Sequence, residues 1–256
     1  MISQWRFFAA LMTHHVLNGD SLAFSFPAAG IPGNLIVFRE ALMTGDLSGN
    51  DLPAFWKARA TYLKCGPSQY QSMVLDELEQ ITASAPGDEF NLWFEYDLFC
   101  QVNLWFILSM LYLLPHDKKI YAVYTSHISK GGPHFWNGFG PATAEQLREC
   151  FRSRILLQPA DLALGNALWQ AFRTGDTGAL VQLSQTPNPA FPFIEPVIQA
   201  HADSDRPART IESILNNGPA NFEYVFSEFY KSESIYGFGD SQLKTIYDEV
   251  MAKRKK

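Results

Sequence analysis

Cysteine is scarce: the 256 residues hold three, Cys65, Cys100 and Cys150, with no Cys-x-x-Cys pair. That argues against a disulfide framework and a cysteine-rich zinc site. Such sparse use fits a reducing compartment, so a cytoplasmic protein is expected. Charge is scarce too, at 18% of residues, and its balance is acidic, with a net of −6. No broad positive field draws in nucleic acid or an anionic membrane, and neither is expected as a partner. Long apolar runs are missing. The longest, over 104–114, is interrupted by Ser109 and ends at Pro115, whereas a bilayer takes about 20 such residues. A buried helix is predicted there instead. Residues 1–11 carry one Arg and a short apolar stretch, too weak for a secretory signal. Met12 stands directly before the first strand-like segment, so 1–11 are expected to be an upstream extension. Internal repeats are absent, and the one biased stretch is the basic tail Lys253-Arg254-Lys255-Lys256.

What is present is a globular composition, 47% hydrophobic and 14% aromatic. A chain of this length buries roughly 70–75% of its unfolded surface and needs neither metal nor disulfide to fold. The first half alternates strand-like and helix-like pieces. Apolar runs at 14–17, Asn34–Phe38, 90–94 and 120–124 read as strands buried on both sides. Helical stretches are predicted over 52–64, 68–84 and 98–114. Continuous apolar strands alternating with helices are the pattern of a parallel sheet covered on both faces. After the Gly-rich segment 131–140 the character changes. Thr143-Ala144-Glu145-Gln146 has capping-box spacing, helical periodicity then recurs to the end, and hardly any strand signal is left. The predicted fold is α/β: a short, mostly parallel Rossmann-like sheet over 12–140, followed by an all-helical part over 141–256. A winged-helix-like end is a further option for that part.

In an open parallel sheet, ligands bind where the loops converge at the carboxyl ends of the strands. Here every strand end offers a polar or ionisable residue. The first runs into Asn18, Asp20 and Ser21, the second into Arg39 and Glu40, the third into Glu95 and Asp97, and the fourth toward His127. Asp20, Glu95 and Asp97 are the candidate catalytic residues; Asn18, Ser21, Arg39, Glu40 and His127 are the candidate ligand-binding ones. Several carboxylates in one cleft would either bind a divalent cation through oxygen or raise one another's pKa toward acid–base use. Arg39 would hold an anionic group. The competing account is that Asp20, Ser21 and Asp97 merely cap the helices that follow. His14 and His15 are expected to be hydrogen-bonded structural residues. Phe135 and Trp136 are expected to be either a stacking lid or a plug joining the two halves. Neither Gly-x-Gly-x-x-Gly nor Gly-x-x-x-x-Gly-Lys-Ser/Thr occurs, so no standard nucleotide fingerprint is present.

Asn18-Gly19-Asp20-Ser21-Leu22 resembles the opening block of the Gly-Asp-Ser-Leu lipases and esterases, which implies Ser21 as a nucleophile. That group draws its base from a C-terminal Asp-x-x-His segment, and this chain has none, nor a Gly-x-Asn-Asp block for an oxyanion hole. Four longer strings carry a wider resemblance: His15-Val16-Leu17-Asn18-Gly19-Asp20-Ser21-Leu22, Val37-Phe38-Arg39-Glu40, Phe55-Trp56-Lys57-Ala58-Arg59, and Leu92-Trp93-Phe94-Glu95-Tyr96-Asp97-Leu98-Phe99-Cys100-Gln101-Val102-Asn103. With Ile235-Tyr236-Gly237-Phe238-Gly239-Asp240 near the end, they are similar to a bacterial family known as domain of unknown function 1835. The resemblance implies that the α/β and helical parts belong together and that Met12 is the natural start. It carries no activity, substrate or catalytic residue.

The leading expectation is therefore a protein that binds a small polar or phosphorylated ligand between its two parts, with hydrolysis or transfer the favoured class if it is an enzyme. A non-catalytic regulatory or protein-interaction module is the alternative, and a serine hydrolase the third.

Overall fold

Five segments pair into one sheet: β1 (Thr13–Asn18), β2 (Asn34–Phe38), β3 (Glu89–Trp93), β4 (Lys119–Val123) and β5 (Ile155–Leu156). Their order is β2-β1-β3-β4-β5, in a computed structural model that describes residues 11–115, 117–126, 128 and 138–254. The first four strands are parallel, and β5 adds to β4 antiparallel. The strands are nearly continuous apolar runs because both faces are covered. Leu17, Trp93 and Val123 pack with Leu22, Phe26, Leu147 and Cys150 on one side, where α1 (Asp20–Ser25) and α6 (Ala144–Arg152) lie. Val16, Phe90, Leu92 and Ala122 join the larger core on the other side.

That larger core is built on α5 (Leu98–Tyr112), whose side chains are buried nearly all round. A helix apolar on every side has to be covered on every side. The sheet covers one flank and α7 (Pro159–Thr174) packs along another. Leu168, Trp169, Ile198, Ile211, Val225 and Val250 extend the same core into α7, α9 (Ile194–Ala202), α10 (Arg206–Asn217), α11 (Phe222–Glu233) and α12 (Asp240–Arg254). The parts expected at 12–140 and 141–256 thus share one interior, and α6 packs on the sheet itself. No helix among the described residues is long and apolar enough to cross a membrane.

The predicted helix over 52–64 is α2 (Leu52–Tyr62). That over 68–84 is found as α3 (Pro67–Tyr70) and α4 (Asp76–Thr82), joined through a π-helical turn, Gln71–Leu75. The capping box at Thr143 and Gln146 is present, and α8 (Thr177–Ser184) follows α7 closely. Two details depart from expectation. The helical part contains the two-residue β5, too short for an alternation of period two to show in sequence. The winged-helix-like end lacks a wing, because no strand follows Leu156 among the described residues. Residues 1–10 of the expected extension, most of the Gly-rich segment, and Phe135 and Trp136 lie outside the described residues.

Both strand histidines are structural. His15 Nδ1 accepts from Trp93 Nε1 at 3.1 Å, and its Nε2 lies 3.1 Å from the Pro32 carbonyl. The second contact needs a proton on Nε2 and the first needs a bare Nδ1, so the ring is a neutral tautomer. Burial lowers its pKa in keeping with that. His14 stacks on Phe90 at 4.8 Å and lies between Asp88 and Asn34.

The loop after β2 is held by a buried ion pair. Arg59 Nη2 meets Glu40 Oε2 at 2.7 Å, with both side chains fully buried. The guanidinium also donates to the carbonyls of Ala41, Thr44 and Asp46. Tyr70 Oη donates to Glu40 Oε1 at 2.6 Å. Removing one partner of such a pair leaves an uncompensated charge in the core. Arg59→Met is expected to cost about 3–5 kcal/mol, measured by urea unfolding. A loss below about 1 kcal/mol, the worth of an exposed pair, would contradict this account.

Candidate functional site

The strand order decides where the site lies. From β1 the chain crosses outward to β2, and then returns past β1 to β3. The loops after β1 and β3 therefore leave in opposite directions and open a crevice between the N-termini of α1 and α5, the usual place for a ligand in such a sheet. Asn18, last residue of β1, and the segment 95–97 after β3 form its floor.

Four side chains meet there. Asp97 caps α5, its Oδ1 accepting the Cys100 N–H at 3.0 Å, so Cys100 faces back toward the strand ends. Asn18 Nδ2 donates to Cys100 Sγ at 3.0 Å, and the thiol donates to Glu95 Oε2 at 2.9 Å. The other Glu95 oxygen accepts the Phe139 N–H at 3.0 Å. One turn further along α5, Asn103 donates to Asn18 Oδ1 at 2.9 Å and to the Glu40 carbonyl at 2.7 Å. Its own Oδ1 accepts the Leu42 N–H at 3.1 Å. Asn103 thus sets which way the Asn18 amide points: the oxygen is taken from behind, and the NH2 is left for the sulfur.

Two glycines press against these acids. A Cβ on Gly138 would collide with Glu95, and one on Gly237, whose φ is 63°, would collide with Asp97. Gly237 brings in the turn before α12, so the helical part closes one side of the crevice. Among the described residues no Lys, Arg or His pairs with Glu95 or Asp97. Burial, and then the charge of Glu95, push the Asp97 carboxyl up to about 7. Burial together with Asp97 and Glu95 also drives the Cys100 thiol well above its ordinary range. The thiol accepts from Asn18 and donates to Glu95, and so links the ends of β1 and β3. Tyr230 of α11 feels the same groups: burial first, then Asp97, Glu95 and Cys100, raise its pKa.

The other residues singled out in the sequence are placed differently. Arg39 Nε binds Asp20 at 2.8 Å and its Nη1 binds Glu77 at 3.1 Å. It also donates to the Met73 carbonyl within the π turn. Its charge is already matched twice, and an anion would have to displace Asp20, whose side chain is 71% exposed. Glu40 contributes only its backbone, since its carboxylate is turned into the core toward Arg59. Ser21 is exposed on α1 with no hydrogen-bond partner among the described residues, so none of them supplies it with a base. His127 lies outside the described residues. Sequence reading brought out Asn18, Glu95 and Asp97 but passed over Cys100 and Asn103. Their signal was there: positions 97, 100 and 103, spaced by three, carry Asp, Cys and Asn at the start of a mostly apolar helix.

Glu95, Asp97 and Cys100 have ligand atoms within 4.8 Å of one another. With Cys100 deprotonated they could hold a borderline divalent cation such as zinc through one sulfur and two oxygens. Comparison with protein-family models, curated proteins and solved structures finds no match for this chain.

The raised pKa has a thermodynamic consequence. Between 3.8 and about 7 the folded protein holds a proton that the unfolded chain releases, so Asp97 makes stability fall as pH rises through that window. Asparagine keeps the cap but not the charge. Asp97→Asn is expected to lose this slope and to be more stable than the parent at pH 8 by about 2–4 kcal/mol, read from urea midpoints against pH. An Asn variant less stable at pH 8 would show that Asp97 is a simple cap.

Proposed function

We propose that the protein binds a small polar ligand in the crevice between the ends of β1 and β3, with Asn18, Glu95, Asp97 and Cys100 facing it. The observation that carries this reading is the pair of neighbouring carboxyls whose environments differ. Glu95 is half-buried and accepts two hydrogen bonds, whereas Asp97 is buried and holds its proton to about pH 7. A hydrogen-bond-accepting carboxyl beside one that keeps its proton suits a base and an acid acting on one substrate. Hydrolysis or group transfer is therefore the reaction class proposed. Glu95 would take a proton from the attacking group, and Asp97 would deliver one to the leaving group.

The charge balance favours an uncharged polar ligand or a divalent cation over a phosphorylated one, because the acids outnumber the bases here and Arg39 is already paired. A further support is convergence. Three of the segments that resemble the family of unknown function, 15–22, 92–103 and 235–240, meet at this one crevice.

The test is thermal unfolding with Mg2+, Mn2+, Zn2+, ribose, glucose and glucose 6-phosphate, in the parent and in Glu95→Gln. A ligand at about 100 times its dissociation constant adds about 2.7 kcal/mol, several degrees for a chain of this size. A rise with one ligand, abolished in Glu95→Gln, is the expected result. No rise with any of them would count against the reading and favour the partner-binding alternative.

A further inference from the structure

A second concavity lies on the other side of Gly237, independent of the crevice. It is a cleft of about 760 Å3 between the loop after β2, the C-terminal end of α2, and helices α9, α10 and α12. That volume is in the ordinary range for small-molecule sites. Its walls are largely apolar, with Met43, Leu63, Leu98, Tyr236, Phe238 and Ile246 among them. Tyr236 and Phe238 stack on each other at 5.0 Å, Tyr236 buried and Phe238 half-buried.

Its electrostatics are simple. Lys64 and Asp203 are the lining residues of fixed charge. Asp203 is committed to Arg209, with contacts of 3.0 and 2.6 Å. The Lys64 ammonium has no partner among the described residues. His201 also lines the cleft, its ring 4.9 Å from that of Phe172 and without a hydrogen-bond partner among the described residues. One unmatched cation beside an apolar, aromatic wall is complementary to a molecule with an apolar body and a single negative head.

The backbone of Lys64 makes the same point independently. Helix α2 ends in a Schellman motif: the Cys65 N–H bonds the Ala60 carbonyl and the Lys64 N–H bonds the Thr61 carbonyl, both at 3.1 Å. Lys64 holds the left-handed position at φ 54°, the one non-glycine residue with positive φ among the described residues. Glycine is the usual occupant there, because any side chain crowds the following carbonyl. A cation gains a little from the helix dipole near a C-terminus, but exposed Thr61, one turn back, could carry it without that strain. Strain kept at a cleft rim in this way suits a side chain retained for contact with a ligand.

We infer that this cleft binds a small organic monoanion, aromatic or aliphatic in body, with its charged head at Lys64. The inference does not rest on the function proposed for the carboxylate crevice. The probe is anilinonaphthalenesulfonate, titrated into the whole native chain by calorimetry and fluorescence, with decanoate as a competitor and uncharged phenylnaphthylamine as a control. One saturable site is expected, displaced by decanoate. Lys64→Gly should fold at least as stably as the parent yet bind the sulfonate about threefold more weakly, the scale of one partly exposed ion pair. Its binding of phenylnaphthylamine should not change. Thr245→Trp, which fills the cleft from an exposed position on α12, should abolish binding of both dyes. Asp97→Asn should leave both unaffected, which separates this site from the crevice. Absence of saturable binding, or unchanged affinity in Thr245→Trp, overturns the cleft as a site. Unchanged sulfonate affinity in Lys64→Gly overturns the assignment of the charged head.

Discussion

The side-chain amide of Asn103 is the tie on which the arrangement of the strand ends depends. It is fully buried and spends both of its protons and its oxygen on three groups of two segments: Asn18 at the end of β1, and the Glu40 carbonyl and Leu42 N–H of the loop after β2. In an apolar interior each of those groups would cost free energy if left unpaired. The helix that carries Asn103 is otherwise almost wholly apolar, so its polar face marks the point where the fold trades packing for position. Through it the register of α5 against the sheet is coupled to the direction of the Asn18 amide, and through Asn18 to the Cys100 thiol and Glu95.

Around that tie the molecule handles buried charge in two opposite ways. On the side of β2, Glu40 is neutralised by Arg59, and Tyr70 and three loop carbonyls complete the hydrogen bonding of the pair. The result is a rigid loop. On the side of β3, Asp97 and Glu95 stand together with no cation from the described residues to match them. The end of β3 would be more stable with an amide in place of Asp97, which would cap α5 as well. Stability gains nothing from the carboxyl, whereas a proton donor near neutral pH gains a good deal from it. Within one ring of loops, one acid is thus matched by a buried cation and two neighbouring acids are not.

The two concavities follow from the same architecture. The helical part does not stand beside the sheet as a separate body. It continues the core built on α5 and returns at 237–240 to the strand ends. Gly237 and Phe238 form the partition: Gly237 packs on Asp97 toward the crevice, and Phe238 lines the cleft. Since no side chain fits at Gly237, the partition can come close enough to bury Asp97 and so raise its pKa.

Local pattern was enough to find the four parallel strands, the buried helix α5 and the capping box of α6. Each is written in a contiguous stretch, where apolar runs and cap residues report directly on burial and hydrogen bonding. It was also enough to place Asn18, Glu95 and Asp97 at strand ends, where parallel sheets gather chemistry. Local pattern did not carry the strand order, which makes the ends of β1 and β3 neighbours and leaves Glu40 facing the core. Nor did it carry the pairing of Arg39 with Asp20 and Glu77, or the approach of Gly237 to Asp97 across 140 residues of chain. Burial periodicity is a property of each segment, and sequence alone therefore determined the elements and the polar residues at their ends. Which of those residues meet, and with what pKa, depends on contacts between segments far apart in the chain, and only the tertiary structure decided it.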